Sequence, residues 1–203
     1  MSEENNINIT INDQPVSVPK GTLVVEAAKQ IGIEIPVFCY HEKLGPFGCC
    51  RMCLVEIEKM PKLTTACTQT VMPDMVVRTE SPKVVKAQQG VLEFTLLNHP
   101  LDCPVCDKGG ECPLQNNTFK YGPGDTRMEF ERANRDKATP LSPVITIDRE
   151  RCIACQRCTR YSDIIEQESA LVMLNRGAQK HLKLMLSQIS SSFSICLFDP
   201  LPS

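Results

Sequence analysis

The sequence predicts an α+β fold in which an N-terminal β-grasp domain is followed by a small helical module and a third, cysteine-rich segment. Alternating apolar residues and turn residues near the N-terminus are typical of a β-hairpin that leads into a helix. The 12 cysteines of the 203-residue chain fall into separate groups along it. Aromatic residues make up only 5% of the chain, and Trp is absent, so few large side chains are available to build several cores. Small domains of this kind are commonly held together by disulfides or metals.

The charge balance and the N-terminus indicate the class of protein. The chain has 22 Lys and Arg against 24 Asp and Glu, which argues against a nucleic-acid-binding protein. Residues 1–6 contain no basic or apolar stretch, so neither a secretory signal nor a transit peptide is expected. No apolar run approaches the length of a membrane span. In a reducing compartment the thiols stay free, and we expect them to bind metal.

The β-grasp domain is predicted to cover residues 1–81. Ile7, Ile9 and Ile11 alternate with polar residues, as in a half-buried strand, and a turn follows. Gly21 and Thr22 then precede an apolar-periodic stretch that ends at Gly32, which predicts a capped helix. In chain order the predicted elements are strands at 7–11 and 16–18, a helix at about 23–31, and strands at 54–57 and 76–79.

Three further segments are predicted after the β-grasp domain. Ser81 and Pro82 form a favourable helix start, and apolar residues at helical spacing continue to about Asn98. This helix belongs to a module at 82–121. Residues 122–143 contain three Pro and a run of charges, which indicates an extended linker. A ferredoxin-like segment is predicted at 144–203.

The first cysteine set has the spacing x10, x2 and x13, which is typical of a [2Fe–2S] site with a modified loop. Glycines in that loop allow the backbone to approach a cluster closely. A structural zinc site with four Cys ligands is the alternative. Because neighbouring residues point in opposite directions and Cys50 has the x2 spacing to Cys53, Cys49 is expected to be a small buried residue instead of a ligand. The candidate ligands are Cys39, Cys50, Cys53 and Cys67.

The second set combines one histidine with three cysteines, a ligand set that suits iron or zinc. As an iron site it predicts a cluster with a raised potential, because imidazole is neutral whereas thiolate is anionic. The alternative is that the histidine only ends a helix. The candidate ligands are His99, Cys103, Cys106 and Cys112.

The third set, Cys152, Cys155 and Cys158, has the x2 spacing of a bacterial [4Fe–4S] site, but Ser162 stands where the fourth Cys is expected. Either the cluster has three protein ligands or a remote thiol completes it, and Cys196 is the distant candidate. Four arginines flank this set, and we expect them to offset the charge of its cluster, the alternative being a solvated basic face. They are Arg149, Arg151, Arg157 and Arg160.

Three strings carry a specific resemblance to a known family. They are GCCRMCLVE at 48–56, NHPLDCPVCDKGGEC at 98–112 and RCIACQRC at 151–158. In this order they resemble the N-terminal part of the large peripheral iron–sulfur subunit of respiratory complex I, the NADH:quinone oxidoreductase. The likeness runs from about Ile7 to about Gly177.

The resemblance implies an electron relay with no catalytic residue of its own. One [2Fe–2S] and two [4Fe–4S] clusters, held by the three sets above, would pass single electrons from a flavin-containing, NADH-oxidising subunit toward other iron–sulfur subunits and quinone. It also implies a peripheral subunit at the cytoplasmic face of a bacterial inner membrane. Family members continue into a further large domain, and the tail from about residue 178 is expected to depart from the family, as a shifted reading frame would cause.

Two other interpretations are alternatives. The same N-terminal module occurs in iron–sulfur subunits of NAD-linked hydrogenases and of some formate dehydrogenases, which usually have two ferredoxin runs after the histidine-containing site. A zinc-stapled interaction protein is an alternative of another class. The chain has no Gly-rich nucleotide fingerprint, so NADH, flavin and quinone are expected to bind elsewhere.

Overall fold

The computed structural model describes residues 6–185, and its first element is the predicted hairpin. Strand β1 (Asn6–Ile11) pairs antiparallel with strand β2 (Gln14–Pro19), with Ile11 opposite Gln14. The two loop residues, Asn12 and Asp13, have φ values of 47° and 65°. Positive φ at both central residues is the mark of a type I′ turn, and Asn and Asp tolerate it well. The strand prediction is confirmed.

Helix α1 (Val24–Gln30) begins differently from the prediction, which placed its cap at Gly21 and Thr22. The N-cap is Leu23, whose N–H donates to the Glu26 carboxylate at 3.3 Å. The Thr22 hydroxyl donates instead to the Pro19 carbonyl at 2.8 Å. The Glu26 carboxylate therefore satisfies the N–H of the N-cap residue, and no hydroxyl caps the helix.

The sheet is completed by β3 (Leu54–Ile57), β4 (Thr64–Thr65) and β5 (Val76–Arg78). Its strand order is β2-β1-β5-β3-β4, with β1 parallel to β5 and the other pairs antiparallel. The buried residues of the sheet and of α1 form one apolar core. This arrangement is the predicted β-grasp domain, and the α+β class is confirmed.

Helix α2 (Pro82–Leu96) joins the first domain to the helical module. It begins as predicted, with the Ser81 hydroxyl accepting the Val84 N–H at 3.4 Å. The buried Gln88 side chain donates to the Leu54 carbonyl at 3.2 Å, which fixes α2 against β3. Helix α3 (Pro113–Tyr121) packs beside α2. A second apolar core joins this module to the cysteine loop of the first domain: Phe38, Met52, Leu92 and Leu114.

The remaining elements are short. Strands β6 (Thr139–Pro140) and β7 (Thr146–Ile147) pair, so the predicted linker contributes one strand, and β8 (Leu171–Leu174) pairs with β9 (His181–Leu184). Helix α4 (Arg157–Ile164) lies between these two hairpins in sequence. Over residues 6–185, no helix combines the length and the apolar character that crossing a bilayer requires.

Candidate iron–sulfur centres

The structure brings the four candidate ligands of the first set together. Cys39, Cys53 and Cys67 are fully buried, and Cys50 is half-buried. The thiol of Cys39 hydrogen-bonds those of Cys50 and Cys67, and the thiols of Cys53 and Cys67 hydrogen-bond each other. A [2Fe–2S] cluster needs two protein donors on each of its two irons, and this group supplies four sulfurs. The residues present therefore fit that cluster.

The loop geometry around Cys50 explains how these thiols converge. Gly48 and Arg51 have φ values of 73° and 59°, so the chain turns sharply on both sides of the cysteine pair. A Cβ at Gly48 would lie 3.0 Å from the Thr68 side chain, which is closer than ordinary packing allows. A glycine is required here both by its backbone conformation and by the approach of the strand-connecting segment.

Backbone N–H groups are aimed at the sulfur atoms of this set. The N–H of Cys39 donates to the Cys50 sulfur at 3.4 Å, and Met52 donates a further backbone bond to it. Phe47 donates a backbone bond to the Cys67 sulfur. Such bonds favour the thiolate, the form that binds iron. Hydrogen bonds from the Cys49 and Cys50 thiols lower the pKa of Cys39 to about 6.

Cys49 differs from its prediction as a small buried residue, because the structure leaves it exposed. The turn at Gly48 and Arg51 also removes the strand-like alternation on which the prediction relied. The Cys49 thiol consequently hydrogen-bonds Cys39, as Cys50 does. It also donates to the Cys155 carbonyl at 3.8 Å and so lies between the first and third sets. Its pKa is raised, mainly by the hydrogen bond with Cys39.

The four candidate ligands of the second set line one cavity of about 290 Å³. A single water occupies about 30 Å³ in the liquid, so the space suits a group larger than one ion. The turn that carries the cysteines leaves no room for a side chain at Gly109. A Cβ there would lie 2.9 Å from the Cys103 carbonyl oxygen and 3.1 Å from that of Cys106. These residues fit an iron–sulfur cluster, with His99, Cys103, Cys106 and Cys112 around the cavity.

His99 lies just after α2 and is half-buried. Burial is the main cause that lowers its pKa, followed by opposing effects of nearby charges, Asp102 raising it and Arg132 lowering it. The imidazole is therefore neutral at neutral pH, which is the form that binds metals. The same side chain lines the neighbouring, larger cavity, so it forms part of the wall between the two spaces.

In the third set, Cys152 and Cys155 are half-buried and Cys158 is exposed. Ala154 and Gln156, between the cysteines, have φ values of 52° and 62°. Residues in the left-handed conformation within such a run form the concave array of N–H groups that binds anionic clusters. The Ala154 N–H donates to the Cys152 sulfur at 3.4 Å, in agreement with that role.

Ser162, at the place of the missing fourth cysteine, is buried, and its hydroxyl donates to the Glu168 carbonyl and accepts the Ala170 N–H at 3.0 Å. The Ser162 hydroxyl is therefore occupied by hydrogen bonds with the backbone. The other candidate, Cys196, lies outside the described residues. Within 6–185, no three His, Cys, Asp or Glu side chains converge on a single point as the ligands of one metal ion would.

A cavity of about 570 Å³ adjoins all three sets. Cys50 of the first set, His99 of the second and Cys152 of the third lie in its walls. The three candidate centres are thus neighbours around one space in the folded chain, although their ligands span more than 100 residues of sequence.

An ion-pair network that the sequence analysis missed joins the second and third sets. Asp102 accepts hydrogen bonds from Arg151 at 3.1 Å and from Lys137 at 2.5 Å. Lys137 also pairs with Glu150 at 2.7 Å. Hydrogen bonds from Lys137 and Arg151 lower the pKa of Asp102. Asp102 and Arg151 each immediately precede the first cysteine of a set, and this shared position in the sequence is the signal that could have indicated the ion pair.

The four arginines divide into two pairs with different surroundings. Arg149 and Arg151 face carboxylates, the former Asp136 at 4.0 Å and the latter Asp102 and Asp148. Arg157 and Arg160 instead reach the cysteine loop of the first domain. Because Arg160 is buried, the alternative of a solvated basic face is wrong for this residue, and both side chains of the second pair also contact the loop of the first set.

Comparisons with known proteins match the three predicted parts in order. Residues 4–82 match the 2Fe–2S iron–sulfur cluster binding domain family, and residues 88–127 match the NADH-ubiquinone oxidoreductase-G iron–sulfur binding region. Residues 142–202 match the ferredoxin-like domain of NADH-quinone oxidoreductase subunit 3. The chain therefore contains a [2Fe–2S] domain and further iron–sulfur binding regions.

The relatives agree with these matches. The G subunit of NADH-quinone oxidoreductase from Streptomyces coelicolor is 50% identical over 86% of this chain and 21% of its own length. NADH-quinone oxidoreductase subunit 3 of Thermus thermophilus is 40% identical over 97% of the chain and 29% of its own length. The chain is a relative of the N-terminal part of these oxidoreductase proteins. It spans between a fifth and a third of the length of these curated relatives.

The third family match corrects the predicted end of the family likeness. The ferredoxin-like match continues to residue 202, beyond Gly177, where the likeness was expected to end. Among solved structures, an NAD⁺-reducing [NiFe]-hydrogenase chain is similar with a TM-score of 0.79 and 28% identity, over 89% of this chain and 76% of that one.

The relative roles of Cys49 and Cys50 generate the first prediction. In Cys50→Ser, we expect the [2Fe–2S] EPR signal of the reduced chain to be lost, because one iron loses a thiolate. In Cys49→Ser, the matched neighbour, the signal should remain at parent intensity. Loss of the signal in Cys49→Ser with retention in Cys50→Ser would reverse the assignment.

The second prediction concerns His99. Replacing neutral imidazole by an anionic thiolate in His99→Cys should keep a [4Fe–4S] cluster but lower its midpoint potential, by on the order of 100 mV. EPR-monitored redox titration measures this shift. His41→Cys is the control, because His41 is exposed and its ring accepts the Lys43 N–H. An intact cluster with unchanged potential in His99→Cys would show that His99 is not a ligand.

Proposed function

We propose that this chain is an electron-transfer segment of an NADH:quinone oxidoreductase, relaying single electrons through one [2Fe–2S] and two [4Fe–4S] clusters. The observation that carries the proposal is the central cavity, which one candidate ligand from each set lines. Electron transfer requires redox centres that are close to one another, and these sets are adjacent. The relatives named NADH-quinone oxidoreductase, at 40% to 50% identity, support the choice of complex.

In this proposal each ligand set has a defined task. Cys39, Cys50, Cys53 and Cys67 hold the [2Fe–2S] cluster; His99, Cys103, Cys106 and Cys112 hold one [4Fe–4S] cluster; and Cys152, Cys155 and Cys158 hold three corners of the other. When bound, the clusters supply reversible one-electron chemistry at iron. The chain contributes no catalytic residue that forms or breaks substrate bonds.

The surrounding residues adjust how readily each centre accepts an electron. Backbone N–H groups directed at the Cys50 and Cys67 sulfurs stabilise negative charge on the first set. His99 adds a neutral ligand to the second set, which favours the reduced form. Burial of Cys39, Cys53 and Cys67 keeps water away from most of the first site.

The partners follow from the same proposal. A flavin-containing subunit that oxidises NADH delivers electrons, and other iron–sulfur subunits of the complex receive them on the way to quinone. The segment belongs to the peripheral part of the complex, at the cytoplasmic face of the inner membrane in a bacterium.

A second candidate function is that of an iron–sulfur subunit in an NAD-linked hydrogenase. The specific observation in its favour is the similarity to the NAD⁺-reducing [NiFe]-hydrogenase chain, of which this chain covers 76%. The identity of 28% is lower than the 40% to 50% found for the oxidoreductase subunits. The third set is also followed by Ser162 in place of a fourth local cysteine, so one of the two ferredoxin runs typical of the hydrogenase subunits is incomplete and the other is missing.

The third prediction tests the function directly. The anaerobically purified chain should be brown, and NADH should produce its reduced [2Fe–2S] EPR signal only when the flavin subunit of an NADH:quinone oxidoreductase is added. The flavin subunit of a hydrogenase is the matched comparison. A colourless chain that contains zinc would favour the zinc-stapled alternative, and reduction only by the hydrogenase partner would favour the second candidate.

The fourth prediction concerns Cys196. If Cys196 is the fourth ligand of the last cluster, the chain should hold about ten irons, the sum for one [2Fe–2S] and two [4Fe–4S] clusters. Cys196→Ala should then lose one [4Fe–4S] cluster while the other signals stay. About ten irons in both the parent and the variant would show instead that Cys196 is not a ligand.

A further inference from the structure

Arg160 of helix α4 is almost completely buried inside the cysteine loop of the first domain, with 6% of its surface exposed. Its guanidinium donates to the Cys39 carbonyl at 3.1 Å and to the Gly45 carbonyl at 2.9 Å. It also donates to the carbonyls of Leu44 and, at 3.5 Å, Pro46. One side chain from the third segment therefore binds the backbone on which a [2Fe–2S] ligand stands, 121 residues earlier in the chain.

Two neighbours extend this contact. The Phe47 ring lies 4.6 Å from the Arg160 guanidinium carbon, in cation–π geometry. The Arg157 side chain donates to the Tyr40 carbonyl at 2.7 Å, and its Nε–H is buried without an acceptor among the described residues. Arg157 and Arg160 thus bind the loop at several points along its backbone.

No carboxylate within residues 6–185 forms an ion pair with Arg160, whose partners there are carbonyl oxygens and an aromatic ring. Carbonyl dipoles solvate a buried cation but leave its net charge in place. Arg151, in contrast, faces two carboxylates, those of Asp102 and Asp148. The charge that Arg160 brings to the loop is therefore available to the anionic group that the loop is built to hold.

We propose that Arg160 is a positioning and charge-compensating residue of the [2Fe–2S] centre, supplied by the segment that carries the third cysteine set. Four thiolates leave a [2Fe–2S] cluster with net negative charge, and one-electron reduction increases that charge. A buried cation beside the Cys39 backbone favours the reduced form and raises the midpoint potential. The inference rests on the proposed assignment of Cys39, Cys50, Cys53 and Cys67 as ligands.

Arginine suits both parts of this role. Its planar guanidinium presents several N–H donors in a fixed fork, so it binds several carbonyls at once and remains charged when buried. Lysine retains the charge as a single point but cannot span the same carbonyls. Charge and geometry can therefore be separated by substitution.

The fifth prediction uses EPR-monitored redox titration of the full-length, cluster-loaded chain. In Arg160→Met and Arg160→Gln, the [2Fe–2S] midpoint should fall, shifting the one-electron reduction equilibrium about tenfold, or about 59 mV. In Arg160→Lys the midpoint should stay within about threefold of the parent, because the charge remains. Hydrogen exchange of amides 39–50 should accelerate in all three variants. Arg176→Met removes an exposed arginine from the same segment and is the control.

The possible outcomes separate this inference from the proposed function. A parent chain without a [2Fe–2S] signal contradicts the ligand assignment itself. A retained signal with an unchanged midpoint in Arg160→Met overturns the charge role while the assignment stands. If both neutral variants lose the signal and Arg160→Lys keeps it, the charge is needed for the centre to form. Loss in all three, with retention in Arg176→Met, reduces Arg160 to a structural support of the loop and overturns the proposal.

Discussion

The fold places several cysteine thiols close together, although thiolates repel one another. The arrangement of the rest of the chain depends on this electrostatic constraint. The pKa values of the first set show how strongly neighbouring thiols affect one another. The pKa of Cys39 falls to about 6, mainly through hydrogen bonds from the Cys49 and Cys50 thiols, and the pKa of each of these two donors rises in consequence. The pKa of Cys53 is lowered as well, mainly through its hydrogen bond with Cys67, so the protein favours thiolates at both Cys39 and Cys53. In the proposed site iron stabilises the remaining thiolates, and N–H donors and the buried cation of Arg160 lie around the same loop.

The same constraint explains how the three parts are joined. The connections are polar and lie beside the ligands: Asp102 with Arg151 between the second and third sets, and Arg160 between the third set and the first loop. Apolar packing contributes where Phe38 and Met52, each next to a ligand of the first set, meet Leu92 and Leu114 of the helical module. Because each contact adjoins a ligand, displacement of one part would strain the site of another. The polar side chains that alter the charge around the three sets therefore also fix the relative positions of these sets.

Local structure was predictable from the sequence, and contacts distant in sequence were not. Alternation at Ile7, Ile9 and Ile11 and the Ser81 cap depend on neighbouring residues, so a short window contains the necessary information. The spacing of the cysteines predicted that the four thiols of the first set would lie together, but not that Cys49 would also hydrogen-bond Cys39. The orientation of Cys49 depended on positive φ angles at its neighbours, and the target of Arg160 depended on packing across 121 residues. Neither property has a periodic pattern, so composition and spacing alone did not predict them.

Compensation of negative charge is consequently unequal among the three sets. The first receives backbone N–H bonds and the cation of Arg160, and the second contains the neutral imidazole of His99. Near the third, Arg151 is bound by carboxylates, which reduces the charge it can offer. The fold is shared with a hydrogenase chain at 28% identity, so this scaffold tolerates change at most positions. In the proposed relay, the side chains around the ligands, more than the scaffold itself, would therefore determine how readily each centre accepts an electron.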